Sequence, residues 1–260
     1  MADTWSPAQY ERFRSERSQP FFDLLALVQP AAGMRVLDLG CGTGELTRAL
    51  HERLAASATL GIDNSEAMLA RARPHEGGGL SFALHDIAAF TAGAEATWDL
   101  VFSNAALQWL PDQPAVLASV ARLVAPGGQL AIQVPANHDH PSHALAHAVA
   151  AESPYREALG GHRRATPVLA PEAYATLLHR LGFQPQHVRL QVYGHLLPSR
   201  ADVVEWVKGT LLTDYAARLP PDLYARFLET YRERLLGALD DERPYFYPFK
   251  RILLWGRRAA

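Results

Sequence analysis

The sequence lacks the features that mark several broad classes of protein. It has one cysteine in 260 residues, so no disulfide can form within the chain. No apolar run approaches the roughly 18–20 residues of a membrane-spanning helix, and the N-terminus is charged where a signal peptide would be apolar. Neither sign of charge dominates, since the net charge is −2 and the pI about 6.6. We therefore expect a cytoplasmic protein that binds neither nucleic acid nor membrane.

The first half of the chain alternates short apolar runs with amphipathic segments. The apolar runs predict strands at Arg35–Leu39, Ala58–Ile62, Leu80–Leu84, Trp98–Ser103 and Gln129–Val134. The segments between them predict helices at Glu45–Leu54, Ser65–Arg73 and Asp112–Leu123. Strands that alternate with helices at this spacing favour a parallel sheet that is covered on both faces.

The second half of the chain is less regular. Its patterns predict helices at Ser142–Glu152, Pro171–Leu181, Arg200–Leu212 and Pro221–Leu236, and strands at His187–Tyr193 and Ile252–Trp255. We expect an α/β fold, Rossmann-like and doubly wound, with a mostly parallel seven-stranded sheet and a helical cap. Residues 1–30 would form a helical lid segment. Residues 31–260 would form the main domain, with cap insertions at about 137–170 and 197–245, and we expect a monomer.

A glycine loop, Gly40–Gly44, follows the first strand and opens a helix. Its glycines let the backbone bend sharply and let a ligand approach closely, and the helix N-terminus adds free N–H groups. The dinucleotide motif G-x-G-x-x-G needs its third glycine one position later, where this chain has Glu45. A carboxylate there suits a pyrophosphate poorly. The loop therefore favours a ligand with less phosphate than NAD.

Acidic residues follow the next two strands. Asp63 stands where doubly wound folds bind ribose hydroxyls, although Asp63 or Ser65 could instead cap the following helix. Asp86 could accept from an adenine amino group while Ile87 packs on the ring; the alternative is an aspartate in a surface turn. Because ligands of open α/β sheets bind at the carboxyl ends of the strands, these residues together indicate a nucleoside.

The glycine loop, Asp63, Asp86 and the segment Trp98–Asn104 resemble the ordered motifs of class I S-adenosylmethionine-dependent methyltransferases. The resemblance implies that S-adenosylmethionine is the cofactor and S-adenosylhomocysteine the product. The loop would hold the methionine end, Asp63 the ribose, and Asp86 with Ile87 the adenine. The full set of cofactor-binding residues that it implies is Tyr10, Phe13, Arg17, Asp38, Gly40, Gly42, Gly44, Asp63, Asn64, Met68, Asp86, Ile87, Ser103, Asn104, Ala105 and Gln108.

A narrower resemblance extends over most of the chain. The segments Trp5–Tyr10, Glu16–Ser18, Asn104–Asp112 and Val203–Thr210 are similar to the trans-aconitate 2-methyltransferase family, whose members esterify a carboxylate of a small tricarboxylic acid. This implies a small anionic acceptor, with Gln108 and Trp109 bordering the transferred methyl group. Gln108, Trp109, Tyr193 and His195 would position the acceptor, and none is assigned as catalytic. The predicted substrate-binding residues are Arg17, Trp109, Tyr193, His195, Trp206 and Lys250.

One departure from that family concerns recognition of the acceptor. After Gly209 and Thr210 the family tends to continue with Gly-Leu-Arg-Pro-Tyr, whereas this chain has Leu211–Tyr215. An arginine that could clamp a carboxylate is thus replaced by Thr213, with Asp214 beside it. Loss of a bidentate guanidinium is not conservative. Another cation must compensate, and the candidates are Arg17, Lys250 and Arg251.

Other readings of the sequence stay open. A carboxylate acceptor is ionised at neutral pH and needs no general base, whereas an alcohol or amine would need one, with His195 as a candidate. The acceptor could also be a malonyl-carrier-protein carboxylate or a small-molecule carbon or nitrogen nucleophile. From other classes, an NAD-dependent oxidoreductase or a non-catalytic cofactor sensor remain alternatives. The histidines at 138, 140, 143 and 147 have no convincing third ligand, and we expect no metal.

Overall fold

The structure is a computed structural model that describes residues 14–93, 97–162 and 167–260, with side chains from Ser18 onward. The predictions for Tyr10 and Phe13, and for the side chain of Arg17, lie outside the described residues. Every contact reported below belongs to the described part of the chain.

The described strands form one seven-stranded sheet in the order β3-β2-β1-β4-β5-β7-β6. Strands β1 to β5 pair in parallel with their neighbours, and β7 runs antiparallel to β5. The fold class expected from the sequence is confirmed. The strands are β1 (Arg35–Leu39), β2 (Ala58–Asp63), β3 (Leu80–Leu84), β4 (Trp98–Asn104), β5 (Val124–Pro135), β6 (Phe183–Leu197) and β7 (Tyr245–Arg258).

Helices connect the strands of the sheet and fill the segments on either side of β6. The described helices are α1 (Arg14–Leu25), α2 (Glu45–Arg53), α3 (Glu66–Ala72), α4 (Ile87–Gly93), α5 (Gln113–Leu123), α6 (Pro141–Ala150), α7 (Tyr155–Ala158), α8 (Pro171–Arg180), α9 (Ala201–Lys208), α10 (Leu212–Arg218) and α11 (Pro221–Ala238). Short 3₁₀ turns occur at Arg73–His75 and Leu107–Trp109. The predicted helix Arg200–Leu212 is shorter in the structure: α9 ends at Lys208 with Gly209 as its C-cap, and Leu212 begins a separate helix, α10.

Other boundaries also differ from the sequence prediction. The short helices α4 and α7 were missed, and β5, β6 and β7 all extend beyond the predicted runs. In the first half of β7, burial alternates, with Tyr245, Tyr247 and Phe249 buried and Phe246 exposed. Pro248 interrupts that segment, and a proline within a run argues against a strand when only the sequence is read.

The chain divides into two compact units. The first comprises Arg17–Pro135, Pro167–Gln191 and Arg251–Ala260. One face of its sheet is covered by a core that includes Phe21, Leu24, Leu50, Phe102 and Trp255. This unit contains the glycine loop and the strand ends discussed below. The sequence-based domain boundaries remain a prediction.

The described part of the second unit, called the helical unit here, consists of residues 14–16, 136–162 and 192–250. Its core joins α6, α9, α10 and α11 with the first half of β7. Large side chains fill that core, among them Trp206, Tyr215, Phe227, Tyr231 and Tyr247. Within the described chain, no helix is both long and apolar enough to cross a membrane.

Candidate functional site

The glycine loop between β1 and α2 is held against the neighbouring strand. The N–H groups of Gly40 and Cys41 both donate to the carbonyl of Ile62, over 2.8 and 3.0 Å. Gly40 has a φ of 80°, and a Cβ placed on it would lie 2.2 Å from Cβ of Ala106. Only glycine therefore fits, and the loop backbone lies directly against the segment that follows β4.

Asp63, at the end of β2, ties the loop to the next helix. Its Oδ2 accepts from the N–H of Gly42 over 2.9 Å, and its Oδ1 accepts from the N–H of Ser65 over 2.9 Å. Ser65 in turn caps α3 by accepting from the N–H of Met68. The sequence left open whether Asp63 contacts a ligand or helps to cap the next helix, and this geometry allows both. A carboxylate oxygen has two lone pairs, so a hydrogen bond from a backbone N–H does not by itself exclude a second one from a ribose hydroxyl.

Asp38 is a buried carboxylate at the end of β1. It is 4% exposed, and its Oδ2 accepts from Oγ1 of Thr47 over 2.6 Å. Burial raises the pKa of Asp38 to about 7, the Thr47 hydrogen bond lowers it, and the charge of Asp63 raises it further. A carboxylate in this setting is stabilised by a nearby cation. Sequence reasoning did not identify Thr47, which lies one turn into α2.

The end of β4 supplies acceptor oxygens. Ser103 donates from Oγ to the carbonyl of Leu39 over 2.8 Å, which fixes β4 against β1. Gln108 donates from Nε2 to the carbonyl of Ala105 over 2.7 Å, and Ala105 has a φ of 55°. Oδ1 of Asn104 and Oε1 of Gln108 are buried, and neither has a hydrogen-bond partner in the part of the chain that the structure describes. Buried oxygens of this kind indicate a ligand that donates to them.

The segment after β3 approaches the same loop. Cδ1 of Ile87 lies 3.9 Å from the position of a Cβ on Gly40. Asp86 is exposed, and its Oδ1 accepts from the N–H of Ala89, so it caps α4. Asn64 is exposed at the end of β2, while Met68 is buried in α3. Their roles toward a cofactor remain predictions.

These residues fit a positively charged nucleoside such as S-adenosylmethionine. A Cβ on Gly42 would meet no described atom within 4 Å, so this side of the loop is open to a ligand. A ligand that donates hydrogen bonds would satisfy the unpaired oxygens of Asn104 and Gln108. A positively charged ligand would stabilise the buried carboxylate of Asp38. Burial raises the pKa of the Cys41 thiol, which disfavours the reactive thiolate.

Comparisons with known proteins agree with this geometry. A methyltransferase-domain family profile matches residues 10–188. A trans-aconitate 2-methyltransferase of Deinococcus radiodurans is 44% identical over 98% of both chains. One of Variovorax paradoxus is 41% identical over 97% of this chain and 95% of its own. The chain belongs to this methyltransferase family. The predicted S-adenosylmethionine-dependent methyl transfer and its cofactor are thereby confirmed.

Solved structures share the fold of this methyltransferase. A phosphoethanolamine N-methyltransferase of Haemonchus contortus, solved with S-adenosylmethionine, has a TM-score of 0.54 and 18% identity, and the match covers 93% of this chain and 53% of that one. A geranyl diphosphate C-methyltransferase of Streptomyces coelicolor has a TM-score of 0.54 and 14% identity, with 96% and 80% covered. At such identities the likeness concerns the fold alone.

The residues predicted to position the acceptor are distributed over both units. Gln108 and Trp109 lie in the 3₁₀ turn after β4, in the unit that holds the sheet, and Trp109 is 38% exposed. Tyr193, His195 and Trp206 lie in the helical unit and are buried. The rings of His195 and Trp206 stack with centroids 4.9 Å apart. Their roles toward an acceptor stay predictions.

Lys250 borders a cleft within the helical unit. The cleft has a volume of about 370 Å³, and Asn137, Asp139 and His140 also line it. Nζ of Lys250 donates to both carboxylate oxygens of Asp139. The hydrogen bond from Lys250 lowers the pKa of Asp139. The charge of Lys250 is therefore already balanced by a neighbouring acid.

The acid that departs from the family pattern is also neutralised locally. Asp214 pairs with Nε2 of His162 and with Nε of Arg218, each over 2.9 Å. Burial would raise the pKa of Asp214, but the hydrogen bonds from Arg218 and His162 outweigh it and lower the pKa. Thr213 donates to the carbonyl of Thr210 over 2.6 Å. Neither residue supplies a cation, so recognition of an anionic acceptor depends on other side chains.

Proposed function

We propose that this methyltransferase esterifies a carboxylate of a small di- or tricarboxylic acid that resembles trans-aconitate. The observation that carries the proposal is the identity of 41–44% over nearly the full length of two trans-aconitate 2-methyltransferases. The Thr213 and Asp214 departure does not count against an anionic acceptor, because Arg218 forms an ion pair with the added acid and His162 forms a hydrogen bond with it. A monomer in the cytoplasm remains part of the proposal.

The residues at the carboxyl ends of the strands would act by binding and orientation. S-adenosylmethionine supplies a methyl group on a positively charged sulfur. Gly42 would hold the methionine end and Asp63 the ribose. The oxygens of Asn104 and Gln108 would face positive charge near the methyl group. A carboxylate acceptor is ionised at neutral pH, so alignment and exclusion of water suffice. The amide side chains of Asn104 and Gln108 are not bases, which agrees with an acceptor that needs none.

The test is transfer of a labelled methyl group from S-adenosylmethionine to a panel of di- and tricarboxylic acids that includes trans-aconitate. The expected product is a monomethyl ester, identified by mass and by its lability to alkaline hydrolysis. A folded Asp63→Ala variant serves as the control for transfer at this site. A methyl group found on nitrogen, carbon or an alcohol oxygen, with none of the acids accepting, would refute the proposal.

A further inference from the structure

We propose that Arg251 and Gln133 form a clamp for a carboxylate of the acceptor other than the one that is methylated. The inference rests on the proposed function and adds to it the residues that select a polyacid. Arg251 is 4% exposed and Gln133 is fully buried. Nη1 of Arg251 donates to Oε1 of Gln133 over 3.2 Å. The amide thereby orients the guanidinium.

Gln133 also presents a donor that the described protein does not use. Its Nε2 is buried and has no hydrogen-bond partner among the described residues. Gln129, four residues earlier on β5, shows the contrasting case. Its Oε1 accepts from Trp255 Nε1 and from the N–H of Gln29, and its Nε2 donates to the carbonyl of Gln29. A buried donor left over at Gln133, beside a satisfied glutamine on the same strand, points to a ligand that accepts from it.

Strand pairing places this donor beside the proposed methyl-transfer site. Gln133 is opposite Asn104 on β4 and opposite Leu253 on β7, so Arg251, two residues from Leu253, shares their face of the sheet. An orphaned acceptor at Asn104 and an orphaned donor at Gln133 are therefore neighbours across one strand pair. From β4 to β7 the backbones span about 10 Å, a length suited to an acid with carboxylates at both ends.

The chemistry of this pair suits a carboxylate. A guanidinium carries five N–H donors in a planar fork, and the amide of Gln133 adds two more. Such a fork binds a carboxylate bidentately, which a point charge on lysine does not reproduce. Lys250, the neighbouring candidate cation, is engaged with Asp139. Arg251 would supply the guanidinium that is missing at Thr213.

The experiment combines changes in the enzyme with changes in the acceptor. We would measure kcat and KM with trans-aconitate and with each of its three monoamides, at saturating S-adenosylmethionine, for the wild type and for Arg251→Gln, Arg251→Lys and Gln133→Leu. For the wild type, the monoamide at the methylated carboxylate should not react, and one of the other two should have a kcat/KM at least tenfold below that of trans-aconitate. For Arg251→Gln, kcat/KM with trans-aconitate should fall at least tenfold, chiefly through a higher KM. The kcat/KM with the affected monoamide should change little. Arg251→Lys keeps the positive charge but not the planar set of donors. Its kcat/KM with trans-aconitate should lie between those of the wild type and Arg251→Gln.

Arg257→Gln is the matched control, because Arg257 lies on the same strand but is only partly buried and donates to Gln29. It should leave both kinetic constants unchanged. An equal loss for trans-aconitate and for both monoamides that keep the methylated carboxylate, in folded Arg251 and Gln133 variants, would overturn the clamp while leaving the proposed function intact. If Arg251→Gln does not fold, Arg251→Lys decides by the same comparison. A wild type that methylates no acid in the panel overturns both proposals.

Discussion

The N–H of Gly42 donates to Oδ2 of Asp63 over 2.9 Å, so the loop after β1 and the end of β2 are joined by a hydrogen bond to a charged group. Two separate sequence motifs thus form one structural unit at the carboxyl edge of the sheet. Because a Cβ on Gly42 would meet no described atom within 4 Å, the bond shapes the loop without filling the space beside it.

Replacing Asp63 should weaken cofactor binding and leave the fold intact. We expect Asp63→Ala to cost about 1–3 kcal/mol of affinity for S-adenosylhomocysteine, the scale for losing a charged acceptor. Asp63→Asn keeps one acceptor oxygen and should cost less. Titration calorimetry, with circular dichroism to verify folding, measures both. Wild-type affinity in a folded Asp63→Ala protein would contradict the assignment.

Two glycines of the same loop should respond differently to alanine. In Gly40→Ala the new Cβ would lie 2.2 Å from Cβ of Ala106. We expect the free energy of unfolding to fall by about 2–4 kcal/mol, because alanine disfavours the left-handed backbone and overpacks the site. Gly42→Ala meets no described atom and should cost about 1–2 kcal/mol of stability. It should nevertheless weaken S-adenosylhomocysteine binding, because its methyl group enters the space kept for the ligand. Chemical unfolding and calorimetry would test this, and unaltered binding by Gly42→Ala would place the ligand elsewhere.

Asp38 should make stability depend on pH in the direction set by its raised pKa. Burial raises that pKa to about 7, above the value near 3.9 in an unfolded chain. The folded protein therefore favours the protonated carboxyl. The contribution of this group to the free energy of unfolding is complete below about pH 4 and is lost as the pH rises through 7. The total change is at most about 4 kcal/mol. Asp38→Asn cannot titrate, so the stability of the wild type relative to this variant should fall between pH 4 and 7 in urea titrations. A constant difference would show that Asp38 is ionised throughout.

The rate of methyl transfer should depend little on pH if the acceptor is a carboxylate. Carboxylic acids titrate near 4, so at saturating cofactor we expect kcat to change by less than about twofold between pH 8 and pH 6. Stopped assays with product mass would measure this. A steep decline below pH 7, together with a methyl group on nitrogen or an alcohol oxygen, would indicate an acceptor that must be deprotonated.

Local sequence predicts where the candidate cofactor-binding residues lie in the fold. Gly40–Gly44, Asp63 and Asp86 each follow an apolar run and precede or begin a helix, and consecutive parallel strands bring such positions to one edge of a sheet. The cap role of Asp86 and the exposure of Asn64 were not predictable, because they depend on α4 and on packing around β2.

The proposed acceptor clamp follows from tertiary structure alone. Gln133 and Arg251 are 118 positions apart, and they meet because β7 enters the sheet antiparallel beside β5. A glutamine within an otherwise apolar strand was a signal that could have drawn attention to Gln133, but its partner could not be read from spacing. Local patterns encode turns, caps and strand ends, whereas the pairing of distant strands and the burial that shifts Asp38 arise only when the whole sheet has assembled.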